Sequence, residues 1–239
     1  VDADAACKEL EEQVNDYWWP KGASVPRRDF KSLTPLSFYR DYVGMSRPVI
    51  LTGAIDDWPA LSKWQDDDYL LDKCSNLDCT VNYTPDGLGD CIHRMPGTGE
   101  EVFVTPFEEK VPFETFWADL QGPRGANYFT SFKNGTTEAE RGVPYASFQN
   151  DSFRQEFSVL QPDVQLEEGL FGFCREAFGG PPEAVNLWMG DGRSVSAAHQ
   201  DFFENIYGVV RGEKHFTLCP PTDIAFMSEQ PFPSARFDP

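Results

Sequence analysis

The sequence predicts one mixed domain, with a helical, aromatic first part and a β-rich second part. Helical spacing and helix-start signals prevail up to Gly179-Gly180, whereas short apolar runs between turn residues follow Pro182. The 239 residues suffice for one sizeable core, and the aromatic content of 14% favours an aromatic one. We therefore expect an N-terminal helical and strand region over residues 1–183, packed on the start of a β-rich core over residues 184–239.

The first part alternates helices with short strands. Residues 1–20 predict a helix, because Leu10, Val14 and Trp18 recur at helical spacing among acids. Thr34-Pro35 predicts the start of a second helix, since proline suits the first helical turn. The polar stretch 136–144 contains glycine and proline and predicts a loop. Further predicted helices cover residues 113–120 and 166–178, and predicted strands cover residues 49–51, 79–83 and 127–132.

The second part predicts short strands joined by tight turns. Gly190-Asp191-Gly192 predicts a turn, and Arg211-Gly212-Glu213 predicts the loop of a hairpin. The predicted strands and extended segments cover residues 184–189, 195–201, 206–210 and 214–218.

The formal net charge of -19 restricts the class of partner. So acidic a surface repels nucleic acid and anionic membrane and favours basic protein partners, although simple solubility is the alternative explanation. No apolar run approaches the roughly 20 residues that span a bilayer. The six cysteines form no C-x-x-C pair, so we expect mostly reduced thiols and a cytoplasmic or nuclear protein. Three glycosylation sequons, at Asn82, Asn134 and Asn150, argue weakly against that location.

His199 and Asp201 are the leading candidates for metal ligands. Side chains two residues apart on an extended chain point to the same face, so this imidazole and carboxylate would converge. Together with a second histidine, such a pair forms the facial triad of non-haem Fe(II) oxygenases, which leaves coordination positions open. The tripeptide alone also occurs often in unrelated proteins. The other histidines, His93 and His215, are poorer candidates, because one lies in a polar stretch and the other faces away from Lys214.

Lys214 is a candidate anchor for an organic anion. On the predicted hairpin, one face carries Asn205 and Tyr207 together with Lys214, and an interior lysine needs an anionic partner. The far carboxylate of 2-oxoglutarate would be such a partner, with hydroxyl donors from Tyr207, Ser196 and Tyr128. The alternative is a surface lysine beside a core tyrosine.

These residues also carry a family resemblance. The chain resembles the JmjC branch of the 2-oxoglutarate oxygenases, and within it the lysyl hydroxylase type, over most of residues 33–222. Supporting segments are R-P-V-I-L-T-G-A-I from Arg47 and E-N-I-Y-G-V-V-R-G-E-K-H-F from Glu204. The motif itself reads Ser196-x-x-His199-x-Asp201-x-x-x-Asn205-x-Tyr207, then Gly212-x-Lys214 and Pro220-Pro221.

The resemblance implies a fold and a ligand set. The fold would be mainly β with flanking helices, a double-stranded β-helix or jelly roll of the cupin type. Iron would be held by His199 and Asp201, and 2-oxoglutarate by Lys214 with help from the neighbouring hydroxyl groups. The family's third iron ligand is a histidine well after the lysine. No histidine follows His215, so we expect that ligand beyond Pro239 and the chain to be part of a longer polypeptide.

The resemblance also implies lysine hydroxylation on a protein partner, such as a translation-associated GTPase, and hints at a homodimer. Alternatives within the family stay open, namely N-methyl-lysine demethylation and the hydroxylation of asparagine or of a tRNA base. Another alternative is a metal-free binding protein with the same core. The acidic charge argues against a nucleic-acid substrate.

Overall fold

The computed structural model describes residues 2–18, 24–95, 97–122, 129–133, 136–140 and 142–238. The chain divides into two compact units. Unit 1 comprises Val1–Trp58, Gln165–Pro181 and Glu204–Gln230, and unit 2 comprises Pro59–Val164, Pro182–Phe203 and Pro231–Pro239. The expected division near residue 183 stays a prediction.

Helices and strands alternate along most of the chain. The α-helices are α1 (Ala3–Trp18), α2 (Pro35–Asp41), α3 (Ala60–Lys63), α4 (Asp67–Lys73), α5 (Phe113–Gln121), α6 (Ser152–Gln155) and α7 (Gly169–Phe178). The strands are β1 (Arg27–Asp29), β2 (Ile50–Thr52), β3 (Asp78–Thr84), β4 (Leu88–Gly89), β5 (Cys91–Arg94), β6 (Glu101–Thr105), β7 (Phe107–Pro112), β8 (Phe129–Lys133), β9 (Thr136–Glu140), β10 (Val143–Tyr145), β11 (Val195–Ser196) and β12 (Ser234–Arg236). Short 3-10 helices cover Phe30–Ser32, Val43–Met45, Ser158–Asp163 and Pro221–Phe226. The strands form sheets with flanking helices, which confirms the predicted fold class and is consistent with a jelly roll.

Unit 1 packs α2 against α7 through aromatic rings. The predicted start of α2 is confirmed, because Thr34 and Ser37 form a reciprocal capping box in front of Pro35. Phe38 on α2 is 5% exposed, and its ring centroid lies 5.5 Å from that of Phe173 on α7. The predicted end of α7 is also confirmed, since Gly179 adopts the left-handed conformation with φ 76°. Beside these helices, β1 and β2 form a parallel pair.

Unit 2 contains the longest strand ladder. Its central strand, β3, pairs antiparallel with β7 on one side and β10 on the other. Helix α5 covers this sheet with Phe113 and Phe116, which are fully buried. A second sheet has the order β12-β6-β5, and β4 pairs in parallel with β11. The β4–β11 pair is the feature that positions the candidate site.

Several predicted elements are wrong. The expected loop over 136–144 contains β9 and β10, and β9 forms a hairpin with β8 whose ladder runs from Thr136 to Glu140. Polar residues form this strand because ladder hydrogen bonds come from the backbone. Conversely, residues 206–210 and 214–218 are not strands, and 184–189 contributes a single bridge at Met189. Extended backbone becomes a strand only beside a partner, and the described residues pair none of these segments in a ladder.

Two further properties concern the whole described chain. Its six cysteines are free thiols. No helix within the described ranges has both the length and the apolar character required to cross a membrane.

Candidate active site

A tight loop in unit 2 positions the segment that carries His199. Val195 donates its backbone N–H to the Gly87 carbonyl at 2.9 Å, and β11 then pairs with Leu88 and Gly89. Gly87 has φ 88°, and a Cβ there would lie 2.9 Å from the Arg193 carbonyl carbon. Glycine is therefore required at this position, where two backbone segments meet. The Thr84 hydroxyl accepts the Gly87 N–H at 2.9 Å and closes the loop.

The side chains of His199 and Asp201 lie together just after β11. Nε2 of His199 is 3.4 Å from Oδ1 of Asp201, and both side chains are about half exposed. Nδ1 of His199 lies 2.7 Å from the Ala197 carbonyl oxygen. A carbonyl oxygen can only accept, so Nδ1 carries a proton, and in the neutral imidazole Nε2 then presents its lone pair. The imidazole nitrogen and the carboxylate oxygen are thus two electron-pair donors on the same side of the chain.

This arrangement fits a metal ion. Two facing acceptor atoms repel each other unless a cation or a proton lies between them. Metal-binding histidines usually donate their other ring N–H to a carbonyl or carboxylate oxygen, which fixes the ring. Here the Ala197 carbonyl oxygen is that acceptor for His199. Imidazole with carboxylate is a donor set that ferrous iron accepts. Among the residues that the structure describes, no group of three or more His, Cys, Asp or Glu side chains completes such a site. The third ligand expected beyond Pro239 therefore stays a prediction.

Asp90 lies near this pair and was not predicted from the sequence. It directly follows β4, has φ 52°, and interacts electrostatically with His199. Partial loss of hydration raises the pKa of the Asp90 carboxyl, an effect that the His199 imidazole opposes. The side chain nevertheless keeps solvent contact. No sequence signal could identify it, because its neighbourhood depends on β4 pairing with a strand more than a hundred positions later.

The predicted 2-oxoglutarate ligands are divided between the units. Ser196 is exposed on β11 in unit 2, three positions before His199. Asn205, Tyr207 and Lys214 belong to unit 1, where Lys214 is half-buried and Asn205 exposed. The ring of Tyr207 contacts that of Phe216 at 5.1 Å between centroids, so the two arms of the predicted hairpin do approach each other. Tyr128 lies outside the described residues. The roles of all five residues stay predictions.

The remaining histidines have other surroundings. His215 is 91% exposed, with Nε2 3.4 Å from Oε2 of Glu213. His93 was expected in a polar loop, but it lies on β5 because Ile92 and His93 pair with β6. Its Nε2 is 3.6 Å from the Cys91 sulfur. Within unit 2, the structure records no interaction of His93 with the His199–Asp201 pair among its described residues.

Comparison with known proteins extends these observations. A family profile described as "Cupin-like domain" matches residues 35–239. The chain is 39% identical to JmjC domain-containing protein E of Dictyostelium discoideum, 36% to Lysine-specific demethylase JMJ32 of Arabidopsis thaliana and 33% to Bifunctional peptidase and (3S)-lysyl hydroxylase JMJD7 of Homo sapiens. These alignments cover 85%, 90% and 90% of this chain but 55%, 56% and 60% of the relatives, so the chain spans little more than half of their length. The chain belongs to the cupin-like family of JmjC domain-containing proteins.

Proposed function

We propose that this chain carries part of the active site of an Fe(II)- and 2-oxoglutarate-dependent oxygenase that hydroxylates a lysine side chain of a protein partner. The observation that carries the proposal is the 3.4 Å approach of His199 Nε2 to Asp201 Oδ1, with Nδ1 bonded to a backbone carbonyl. Two of the relatives named above support lysine chemistry, since one is named a lysyl hydroxylase and the other a lysine-specific demethylase.

Each candidate residue would have a distinct task. His199 and Asp201 would hold the iron, and Ala197 keeps the imidazole in the tautomer that coordinates. Lys214 would neutralise the far carboxylate of 2-oxoglutarate, with hydroxyl or amide donors from Tyr207, Ser196, Tyr128 and Asn205. When bound, iron and 2-oxoglutarate supply the oxidative activation of dioxygen that hydroxylation of an unactivated carbon requires.

A histidine substitution tests the metal site. We expect His199→Ala to abolish both anaerobic Fe(II) binding, measured by calorimetry, and succinate formation from 2-oxoglutarate. His215→Ala is the matched control, because that imidazole is almost fully exposed and pairs with Glu213. Fe(II) binding that survives in His199→Ala would refute the assignment.

A lysine substitution tests the co-substrate site. We expect Lys214→Ala to raise the KM for 2-oxoglutarate at least about tenfold, since a half-buried charge-assisted bond to a carboxylate contributes about 1.5–3 kcal/mol. Lys110→Ala is the control, because that lysine is largely exposed and lies on β7 in the other unit. An unchanged KM in Lys214→Ala removes that residue from the co-substrate site.

The product distinguishes the alternatives. Mass spectrometry of candidate partners, incubated with and without iron and 2-oxoglutarate, reveals an added oxygen for a hydroxylase. A demethylase, the activity in the name of one relative, instead removes a methyl group from N-methyl-lysine. A protein that binds no iron would be the metal-free alternative.

The proposed partner is a basic protein, such as a translation-associated GTPase, in keeping with the net charge of -19. Six free thiols accord with a reducing compartment, the cytoplasm or the nucleus. A homodimer of this chain is part of the proposal, and sedimentation at several concentrations tests it.

A further inference from the structure

Helix α1 separates its apolar residues from its acidic ones. At 3.6 residues per turn, Ala3, Ala6, Cys7, Leu10 and Val14 lie on one side of the helix, within about a third of its circumference. These five residues form the α1 stripe, and a helix of 16 residues is about 24 Å long. A surface helix normally turns a stripe of this kind towards an apolar neighbour.

The α1 stripe is largely exposed to solvent. Leu10 is 46% exposed, Cys7 and the two alanines are also exposed, and Val14 is half-buried. Within the described part of unit 1, α2 packs on α7 and β1 on β2, but no other helix or strand packs closely on α1. Short helices are marginal in water, and most of their stability in proteins comes from burial of the apolar side. The stripe therefore favours a partner that covers it.

The remaining surface of α1 restricts the charge of that partner. It carries one base, Lys8, and five acids, which are Asp4, Glu9, Glu11, Glu12 and Asp16. Glu12 and Asp16 are four positions apart, where like charges destabilise a helix, and the helix dipole disfavours an acid in the last turn. A basic partner relieves both effects, whereas a second copy of α1 would bring acids against acids. Helices that lie on membranes are instead rich in Lys and Arg.

We propose that the α1 stripe is the docking site for a basic amphipathic helix of a partner protein. Apolar side chains of that helix would cover Leu10 and Val14, and its lysines or arginines would face the acids of α1, as in paired helices with opposite charges beside an apolar seam. The stripe contains none of the candidate metal or co-substrate ligands. The inference therefore goes beyond the proposed function and does not depend on it.

Designed helical peptides test the proposal on the whole chain. The first peptide has leucine at every third or fourth position and lysine at most others, the second has the same composition in scrambled order, and the third has glutamate in place of lysine. Fluorescence anisotropy measures their binding. We expect the first peptide to bind at least about tenfold more tightly than either of the others, since burial of one leucine provides about that factor.

A substitution on the stripe has a matched control on the opposite side of α1. Leu10→Gln removes the largest described apolar group of the stripe but introduces a residue that favours helices. We expect it to weaken binding of the first peptide at least about tenfold. Ala5→Gln introduces the same side chain at an exposed position on the acidic side, and we expect it to bind as the wild type does.

The Cys7 thiol reports whether the stripe is covered, because it is exposed. We expect iodoacetamide to modify Cys7 in the free protein and the first peptide to protect it, while the exposed Cys219 stays reactive. Equal binding of the first and second peptides, or an unchanged affinity in Leu10→Gln, overturns the inference. Protection of Cys7 without any peptide, or by neutral phospholipid vesicles, also overturns it, because this chain, a second copy or a membrane would then cover the stripe.

Discussion

Replacing Gly87 with alanine is expected to disturb the candidate site from the opposite strand. The new Cβ would overlap the Arg193 carbonyl oxygen and lie 2.9 Å from its carbon, whereas ordinary contacts begin at 3.4 Å. The two segments must therefore separate by at least about 0.5 Å, and the backbone can give way only by loosening the 2.9 Å bond from Val195 N–H to Gly87. His199 lies four positions after Val195 and would lose its fixed support.

Alanine substitutions at two other glycines distinguish the backbone strain at Gly87 from the steric overlap. Gly97 has φ 91° with open space around its missing Cβ, so Gly97→Ala isolates the backbone strain, about 1 kcal/mol. Gly192 has open space and no positive φ, so Gly192→Ala should be close to neutral. Gly87→Ala combines strain, overlap and a weakened hydrogen bond, for which we expect about 3 kcal/mol of destabilisation.

Denaturant unfolding of the three variants measures these differences, and thermal unfolding should show a Tm lower by roughly 6–12 °C for Gly87→Ala. Hydrogen exchange adds a local readout, because the Val195 amide should lose protection in this variant alone. We also expect weaker Fe(II) binding in Gly87→Ala. If Gly87→Ala cost no more than Gly97→Ala and left the Val195 amide protected, the reasoning from the loop to the site would be refuted.

Two further predictions concern buried groups in unit 2. Asp163 accepts hydrogen bonds from Lys63, Trp64 and Tyr69 at 2.6, 3.0 and 2.7 Å. Asp163→Asn should therefore lower the free energy of unfolding, measured in urea, by about 2–3 kcal/mol. The control is Asp72→Asn, which changes an exposed side chain and should be neutral. Burial acts to raise the pKa of Asp163, but the three hydrogen-bond donors prevail and hold this pKa below its usual value of 3.8. The destabilisation by Asp163→Asn should therefore be complete well above pH 3.8 and should shrink as the pH falls through the lowered folded-state pKa. A destabilisation that does not change with pH would contradict this reasoning. Burial also raises the pKa of the Cys74 and Cys79 thiols to about 12, and mass spectrometry after iodoacetamide treatment at pH 8 should find them unmodified while the exposed cysteines react.

Local signals in the sequence predicted local structure well. Proline at the first turn marked the start of α2, and the glycine pair at Gly179 marked the end of α7, because both signals act within one helical turn. The two-residue spacing also led us to expect that the His199 and Asp201 side chains converge, and they lie 3.4 Å apart. Their role as iron ligands stays a prediction, since convergence alone does not identify the ion.

Contacts between distant parts of the sequence could not be predicted in the same way. The polar residues of β9 looked like a loop because strand formation there depends on backbone pairing with β8 rather than on an apolar face. The reverse error occurred at residues 206–210, whose apolar, β-branched composition predicted a strand that has no ladder partner among the described residues. Asp163 receives its hydrogen bonds from residues 94–100 positions earlier, a separation that no motif records.

Local sequence spacing and long-range strand pairing make different contributions to the candidate site. Local spacing places an imidazole and a carboxylate on one side of the chain, but it leaves that chain free to move. The long-range pairing of β4 with β11 fixes the segment and brings Asp90 next to it. Because a metal ligand set must be held in place before the ion binds, the loop from Thr84 to Asp90 matters for the site although it contributes no proposed iron ligand. Substitutions in that loop should therefore alter ligand binding even where the pair itself is intact.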